Sequence, residues 1–386
     1  MNPSNNASVP LPELGASRPL CPPIYQSSVY SIPDLDALDQ ISNAEQPGFI
    51  YARDSHPNAR HLADKLSALE GGRWGIVCGS GMAAITAAFV GTVQKGDRVL
   101  ASSNLYGRTT QLLTNELSRF GVETTFVDTR DLQAVKSALQ TPAKLMWLET
   151  ISNPLLAVPD LPALVEIAHA HNCLVAVDNT FATPTLFKPL TIGVDLVMES
   201  LTKMIGGHSD ITLGFLGGTV DLFTQLSSTA SIWGLSANPF DCWLALRGLA
   251  TLDLRMHAAT SNAAALADWL SAKTGVEKVI YPGRQDHPDH ATAQRLLTAG
   301  CGNMIAVELR GGRDGVNRFM RQAPGIPFSP SLGDTTTTLS YPGSTSHRFV
   351  SPAEKKRQGI SDGLIRLSVG IEPIAEIQAE FQRGLR

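Results

Sequence analysis

The sequence is short of charge, of aromatics and of cysteine. Charged residues make up 17% of the 386 positions and aromatics 6%. The basic residues form no run longer than Lys355-Lys356-Arg357 and the net charge is −4, which argues against nucleic acid as the main partner. Five cysteines (Cys21, Cys78, Cys173, Cys242 and Cys301) lie far apart without paired spacing. That pattern predicts buried, reduced thiols and excludes a disulfide framework or a cysteine zinc cage. His169 with His171, and His287 with His290, have no cysteine or carboxylate set at ligand spacing; solvated histidines and no metal are expected. No apolar run is long enough to cross a bilayer, and residues 1–20 are polar and proline-bearing. No membrane partner, no secretion signal and a cytoplasmic location follow as expectations, which leaves Asn6-Ala7-Ser8 as a chance glycosylation match.

What is present is enough apolar material, 43% of residues, for a sizeable core and about two domains. Apolar runs bounded by turn signals alternate with helical patterns, the mark of an α/β fold with a mostly parallel sheet. Strands are predicted over 75–78, 98–102, 124–128, 145–149, 174–178, 196–198 and 212–216, making one seven-stranded sheet. Helices are predicted over 82–90 and 161–171, and a long linking helix over 239–256. A smaller C-terminal α/β region follows, with strands over 304–309 and 365–369 and a helix from Pro373. The first twenty or so residues read as an irregular arm.

The most informative segment runs from Val197 through Glu199, Ser200, Thr202 and Lys203 to Gly206, Gly207 and His208. A strand empties into two hydroxyls at alternate spacing, hence turned the same way, beside one lysine and a glycine pair. A lysine whose pKa is lowered by burial or a neighbouring cation can form a Schiff base with a carbonyl compound. Pyridoxal phosphate offers both an aldehyde and a phosphate. The competing reading is a surface lysine beside hydroxyls that cap a turn.

Ligands of open α/β sheets gather at the carboxyl ends of the strands, so those ends are read together. Gly79-Ser80-Gly81-Met82 opens a helix, where free N–H groups and the positive dipole end suit an anion, although small residues there also serve packing. Tyr106 could stack on a planar ring or fill a core edge. Asp178, after a wholly apolar strand, could keep a pyridine nitrogen protonated or cap the next turn. Asn153, in Ser152-Asn153-Pro154, could hydrogen-bond a ring hydroxyl or start a turn.

With these pieces assembled, the chain resembles the Cys/Met-metabolism family of pyridoxal-phosphate enzymes, which includes cystathionine γ-synthases and lyases, methionine γ-lyases and homoserine-ester sulfhydrylases. The resemblance runs nearly the whole length. It spans Pro22-Pro23-Ile24-Tyr25-Gln26, Tyr51-Ala52-Arg53, Gly81-Met82, Leu105-Tyr106-Gly107, Ser152-Asn153-Pro154 and Val177-Asp178-Asn179-Thr180-Phe181. It continues through Thr202-Lys203, Leu246-Arg247-Gly248-Leu249, Ser331-Leu332-Gly333 and Gly363-Leu364-Ile365-Arg366.

The resemblance implies fold-type I with pyridoxal phosphate as cofactor and an amino acid as substrate. Lys203 is then the Schiff-base lysine and proton shuttle, Asp178 the partner of the ring nitrogen and Tyr106 the stacking ring. Gly81, Met82, Ser200 and Thr202 bind the phosphate, joined across a subunit boundary by Tyr51 and Arg53. Arg366 grips the substrate carboxylate, with Asn153, Tyr51 and Thr337 also at the substrate. A homodimer is the implied minimum unit and a homotetramer the implied assembly. The implied division is an arm over 1–60, a cofactor domain over 61–256 and a C-terminal domain over 257–386.

The reaction implied is γ-elimination or γ-replacement, with cystathionine γ-synthase or γ-lyase first, methionine γ-lyase or O-acylhomoserine sulfhydrylase next, and cystathionine β-lyase or an aminotransferase behind them. A catalytically silent binding protein is a further alternative. Three departures stand out. Thr336 takes the place of a glutamate that would suit the distal ammonium of cystathionine. Arg108 replaces a small residue near the mouth. His56-Pro57-Asn58 replaces the family's Asn-Pro-Thr.

Overall fold

The computed structural model describes residues 16–348 and 350–386. Residues 1–15 of the expected N-terminal arm, Asn6-Ala7-Ser8 among them, lie outside the described residues. Seven strands form the large sheet: β1 (Trp74–Cys78), β2 (Arg98–Ser102), β3 (Glu123–Val127), β4 (Leu145–Glu149), β5 (Leu174–Asp178), β6 (Leu196–Glu199) and β7 (Gly214–Gly218). Their order is β1-β7-β6-β5-β4-β2-β3. The five strands from β6 to β3 are parallel, while β7 runs antiparallel to both β6 and β1.

β4 and the centres of β5 and β6 are buried on both faces, which is why they read as unbroken apolar runs. One core cluster fills the face covered by the helices Pro57–Glu70 and Leu161–His169; a second lies under Gly81–Thr92 on the other face.

The register fixes the site. Glu149 is the Cα partner of Asp178, and Asp178 of Met198, so the ends of β4, β5 and β6 stand side by side at one edge of the sheet.

The linking helix differs from expectation. It is two helices, Pro239–Leu249 and Leu252–Ser271, parted at Ala250 and Thr251. The Arg255 guanidinium takes up the carbonyls left at the break: Nη2 donates to Gly248 O at 2.6 Å, and Nη1 donates to Met204 O at 2.5 Å on the lysine-bearing turn. The second helix runs across the expected division after residue 256 and packs on a four-stranded antiparallel sheet. That sheet is β8 (Val276–Ile280), β9 (Met304–Leu309), β10 (Thr338–Ser340) and β11 (Leu364–Ser368), in the order β10-β11-β9-β8. β8 and β10 escape the sequence reading because one exposes Glu277 and Lys278 and the other is three residues long. Two further expectations are corrected. Cys21 is exposed whereas the other four cysteines are buried. His287 is buried, its Nδ1 accepting from the Asp289 amide at 3.1 Å, because it lies in a packed turn rather than on a solvated helix.

Among the described residues no helix is long and apolar enough to cross a membrane.

Candidate active site

A cavity of about 380 Å³ lies over the carboxyl ends of the parallel strands, closed on the other side by the C-terminal region. Gly81, Met82, Tyr106, Asn153, Asp178, Ser200, Thr202, Lys203 and Arg366 all line it. Residues from six separate stretches of sequence therefore meet in one place.

Lys203 follows β6 on a turn whose backbone closes through Lys203 N to Ser200 O at 3.1 Å and Gly207 N to Lys203 O at 2.8 Å. Its Nζ donates to Ser331 Oγ at 2.9 Å. Burial, then the positive Arg366, brings the amine down to about 8, because a charge that loses water and faces a like charge is disfavoured. Arg366 is on β11 and buried to 3% exposure. Its Nη1 donates to Asn153 Oδ1 at 2.7 Å and its Nη2 to Ser331 O at 3.5 Å. Nε has no partner among the described residues. Burial lowers this guanidinium to about 10, so it remains a cation in want of an anion.

Asp178 ends β5 and accepts from Thr180 N at 3.0 Å. Burial raises its carboxyl, and the Thr180 hydrogen bonds oppose the rise. Tyr106 precedes the helix Gly107–Gln111, and burial raises its phenol, with Arg108 pulling the other way. Ser80 caps the helix Gly81–Thr92 through Ala83 N at 3.0 Å, leaving the first-turn amides beside Ser200. A Cβ on Gly81 would stand 2.8 Å from Ser200 Oγ; only a glycine keeps that corner open. Thr202 lines the same corner, but its hydroxyl exchanges hydrogen bonds with Leu213, donating to O at 3.2 Å and accepting from N at 3.1 Å.

Several residues here are given no role by the sequence. Glu149 is the clearest: Oε1 accepts from Tyr106 N at 2.6 Å and Oε2 from Asn153 N at 3.1 Å. One carboxyl thus holds the backbones of both the aromatic wall and the amide that orients Arg366. Burial, then Asp178, raises its pKa well above the carboxylate range. Its signal was a charged residue ending an otherwise apolar strand, the same signal that marked Asp178. Thr180 accepts from Ser200 N at 2.9 Å and ties β5 to the lysine turn. Ser331 joins Lys203 to Arg366, and only the folded chain brings its loop there.

Other expected site residues lie elsewhere. Thr337 is buried, with its amide donating to Glu372 Oε1 at 2.5 Å and its hydroxyl to Oε2 at 2.9 Å, and it does not line the cavity. Thr336 is exposed and does not line the cavity. Tyr51, 42% exposed, sits under the Arg53 guanidinium at 5.1 Å from the ring centroid, and neither residue lines this chain's own cavity. Arg108 does line it, with Nη1 donating to Gln111 Oε1 at 2.7 Å. Ser344, Thr345, Ser346 and Arg348 complete the exposed end.

The cavity suits a flat, phosphorylated aldehyde. Helix-start amides and hydroxyls face one corner, the Asp178 carboxyl stands at the end of β5, Tyr106 forms a wall and Lys203 stands among them.

Comparison with known proteins agrees. A family profile described as Cys/Met metabolism PLP-dependent enzyme matches residues 13–386. An O-succinylhomoserine sulfhydrylase from Pseudomonas aeruginosa is 38% identical over 341 residues, covering 88% of this chain and 84% of the relative. An L-methionine gamma-lyase from Fusobacterium nucleatum is 38% identical over 369 residues, covering 95% and 93%. Among solved structures, cystathionine gamma synthase from Xanthomonas oryzae pv. oryzae in complex with cystathionine superposes with a TM-score of 0.90 at 35% identity, covering 95% of this chain and 92% of the other.

Proposed function

The chain belongs to the Cys/Met-metabolism family of pyridoxal-phosphate-dependent enzymes, and on that premise we propose that it replaces or eliminates an anionic or uncharged group at the γ-carbon of a homoserine-derived amino acid. The observation that carries the choice of tail is the charge of the cavity wall. Its carboxyl groups, among the described residues, are Glu149 and Asp178 at the buried end, while Arg108 and Arg348 stand at the other end among three hydroxyl residues. A distal ammonium, as on cystathionine, meets no lining carboxylate among the described residues at that end and faces two arginines instead. An acylated homoserine with an acid tail meets arginine, whose planar fork matches a carboxylate. The likeness to an O-succinylhomoserine sulfhydrylase supports the same reading. Methionine elimination is the second reading, favoured by the apolar lining of Met82, Ile85, Phe181 and Leu332 and by the methionine lyase relative.

When bound, pyridoxal phosphate withdraws electrons from the substrate's α-carbon through its ring. Gly81, Met82, Ser200 and Thr202 would hold its phosphate, Asp178 its ring nitrogen, Tyr106 its face and Lys203 its aldehyde carbon. Arg366, set by Asn153, binds the substrate carboxylate and so fixes which bond at the α-carbon is aligned for cleavage. With a pKa near 8, Lys203 has a neutral fraction that can take the α-proton and then serve the β-carbon. Tyr106, its phenol pKa raised by burial, stays protonated and can donate to the departing group. Tyr51 and Arg53, exposed and away from their own cavity, would complete a neighbouring copy's phosphate site, which supports a homodimer as the working unit; a tetramer of two dimers is the assembly that the family resemblance implies.

The test is to incubate the holoenzyme with O-succinylhomoserine, O-acetylhomoserine, methionine and cystathionine, with and without cysteine or sulfide, and to identify products. The succinyl ester is expected to give the highest kcat/KM with a thiol acceptor; a preference for cystathionine would overturn the reading.

A further inference from the structure

The strand ends that face the cavity have a reverse side. Side chains alternate along a strand, so Asp178 and Met198 face the cavity while the next residues, Asn179 and Glu199, face the helix Pro57–Glu70. Glu199 ends β6, Glu70 ends that helix, and both are 0% exposed. Their carboxyl groups meet at hydrogen-bonding range. Glu70 Oε1 also accepts from Asn179 Nδ2 at 3.0 Å, and Asn179 Oδ1 accepts from Thr150 Oγ1 at 2.7 Å. Glu70 Oε2 and both Glu199 oxygens receive no other donor among the described residues. The one cation acting on Glu70 is the exposed Lys188, the weakest of the influences on it.

Two carboxyl groups in contact, out of water and without a paired cation, cannot both ionise. A proton must therefore lie between the facing oxygens. Asn179 donates to Glu70 Oε1, and of the two carboxyls it is Glu199 that feels the charge of Asp178, which puts the retained proton on Glu199.

We infer that Glu70 and Glu199 form a proton-sharing acid pair behind the sheet, and that its charge sets how tightly Asp178 retains a proton on the cofactor side. They are positioning residues, acting through Asp178. Burial pushes Glu70 up to about 7 and holds Glu199 well above the carboxylate range, with Glu70 and then Asp178 adding to the rise on Glu199. Below about pH 7 the pair is neutral; above it the pair carries one negative charge beside Asp178. Glu149 presses on Asp178 from β4 in the same sense, since their carboxyls disfavour each other's ionisation. The added charge disfavours loss of a proton shared between Asp178 and a pyridine nitrogen, so that proton persists to higher pH. The inference rests on the cofactor assignment and is independent of the substrate tail.

Infrared titration of the holoenzyme in D2O tests the pair directly. Wild type is expected to show a protonated-carboxyl band that disappears near pH 7 and is missing in Glu70→Gln. A second band, missing in Glu199→Gln, should survive above pH 8. The cofactor absorbance of wild type should show a small step near pH 7 that Glu70→Gln abolishes, a readout that a merely structural glutamate would not move. Absence of any carboxyl band above pH 8 in wild type overturns the pair without recourse to a variant. Identical absorbance profiles in wild type and folded Glu70→Gln overturn its link to the cofactor.

Discussion

Arg366 Nη1 donates to Asn153 Oδ1 at 2.7 Å across 213 residues of sequence. A guanidinium from the small antiparallel sheet and an amide from the loop after β4 therefore form one wall, and the site proposed for the substrate carboxylate draws on both sheets.

Removing that guanidinium should separate substrate binding from cofactor binding. Arg366→Ala is expected to raise KM and lower kcat/KM by about a hundredfold, the scale of losing a buried charge-assisted contact of roughly 2–5 kcal/mol, with the cofactor absorbance near normal. Arg366→Lys should recover little, since an ammonium lacks the fork. Cofactor release in Arg366→Ala would show that the arginine serves the wrong ligand.

Lys203 offers a chemical test. The holoenzyme should be yellow, borohydride should bleach it, and peptide mapping should find the cofactor on Lys203; Lys203→Ala should bind cofactor only non-covalently and lose turnover. Recovery of the label on a different lysine would refute the assignment.

The pH dependence of cofactor capture follows from the same amine. With its pKa lowered to about 8, the fraction of neutral Lys203 rises about tenfold per pH unit below that value and levels above it. Stopped-flow mixing of apoenzyme with pyridoxal phosphate should show the bond-forming rate rising up to pH 8 and flattening beyond. A rate still climbing steeply at pH 10 would mean that burial does not depress this lysine.

The mouth can be tested by charge. Arg108→Ala should lower kcat/KM for O-succinylhomoserine relative to O-acetylhomoserine by about tenfold, equivalent to about 1.4 kcal/mol, without altering the cofactor spectrum. Thr336→Glu should change the cystathionine rate less than about threefold, because an exposed charge off the cavity wall is worth under about 1 kcal/mol. Equal losses on both esters in Arg108→Ala would remove Arg108 from tail recognition.

Local chemistry made much of this molecule legible before folding. Doubly buried parallel strands must be apolar throughout, so β2, β4 and β5 stand where their sequence runs begin and end. A lysine after two alternating hydroxyls, an aspartate after an apolar strand and a glycine-opened helix each carry their purpose in a few adjacent residues, and the fold brings all three to one cavity. The family motifs lie in order along the chain for the same reason.

What required the tertiary structure is whatever depends on partners far apart in sequence. Glu149 reads as a strand-end charge until Tyr106 and Asn153 donate to its two oxygens. Ser331 is unremarkable until its loop reaches Lys203. Thr337, expected at the substrate, bonds Glu372 through both its amide and its hydroxyl, a partner 35 residues on. Arg255 parts two helices and steadies the lysine turn only because Gly248 lies against Gly206, where a Cβ would come within 2.4 Å of a carbonyl oxygen. The sequence determined which residues could do chemistry, since that depends on side-chain type and local spacing. Packing decided which of them face the cavity and which stay protonated, because burial and neighbouring charge are properties of the folded chain.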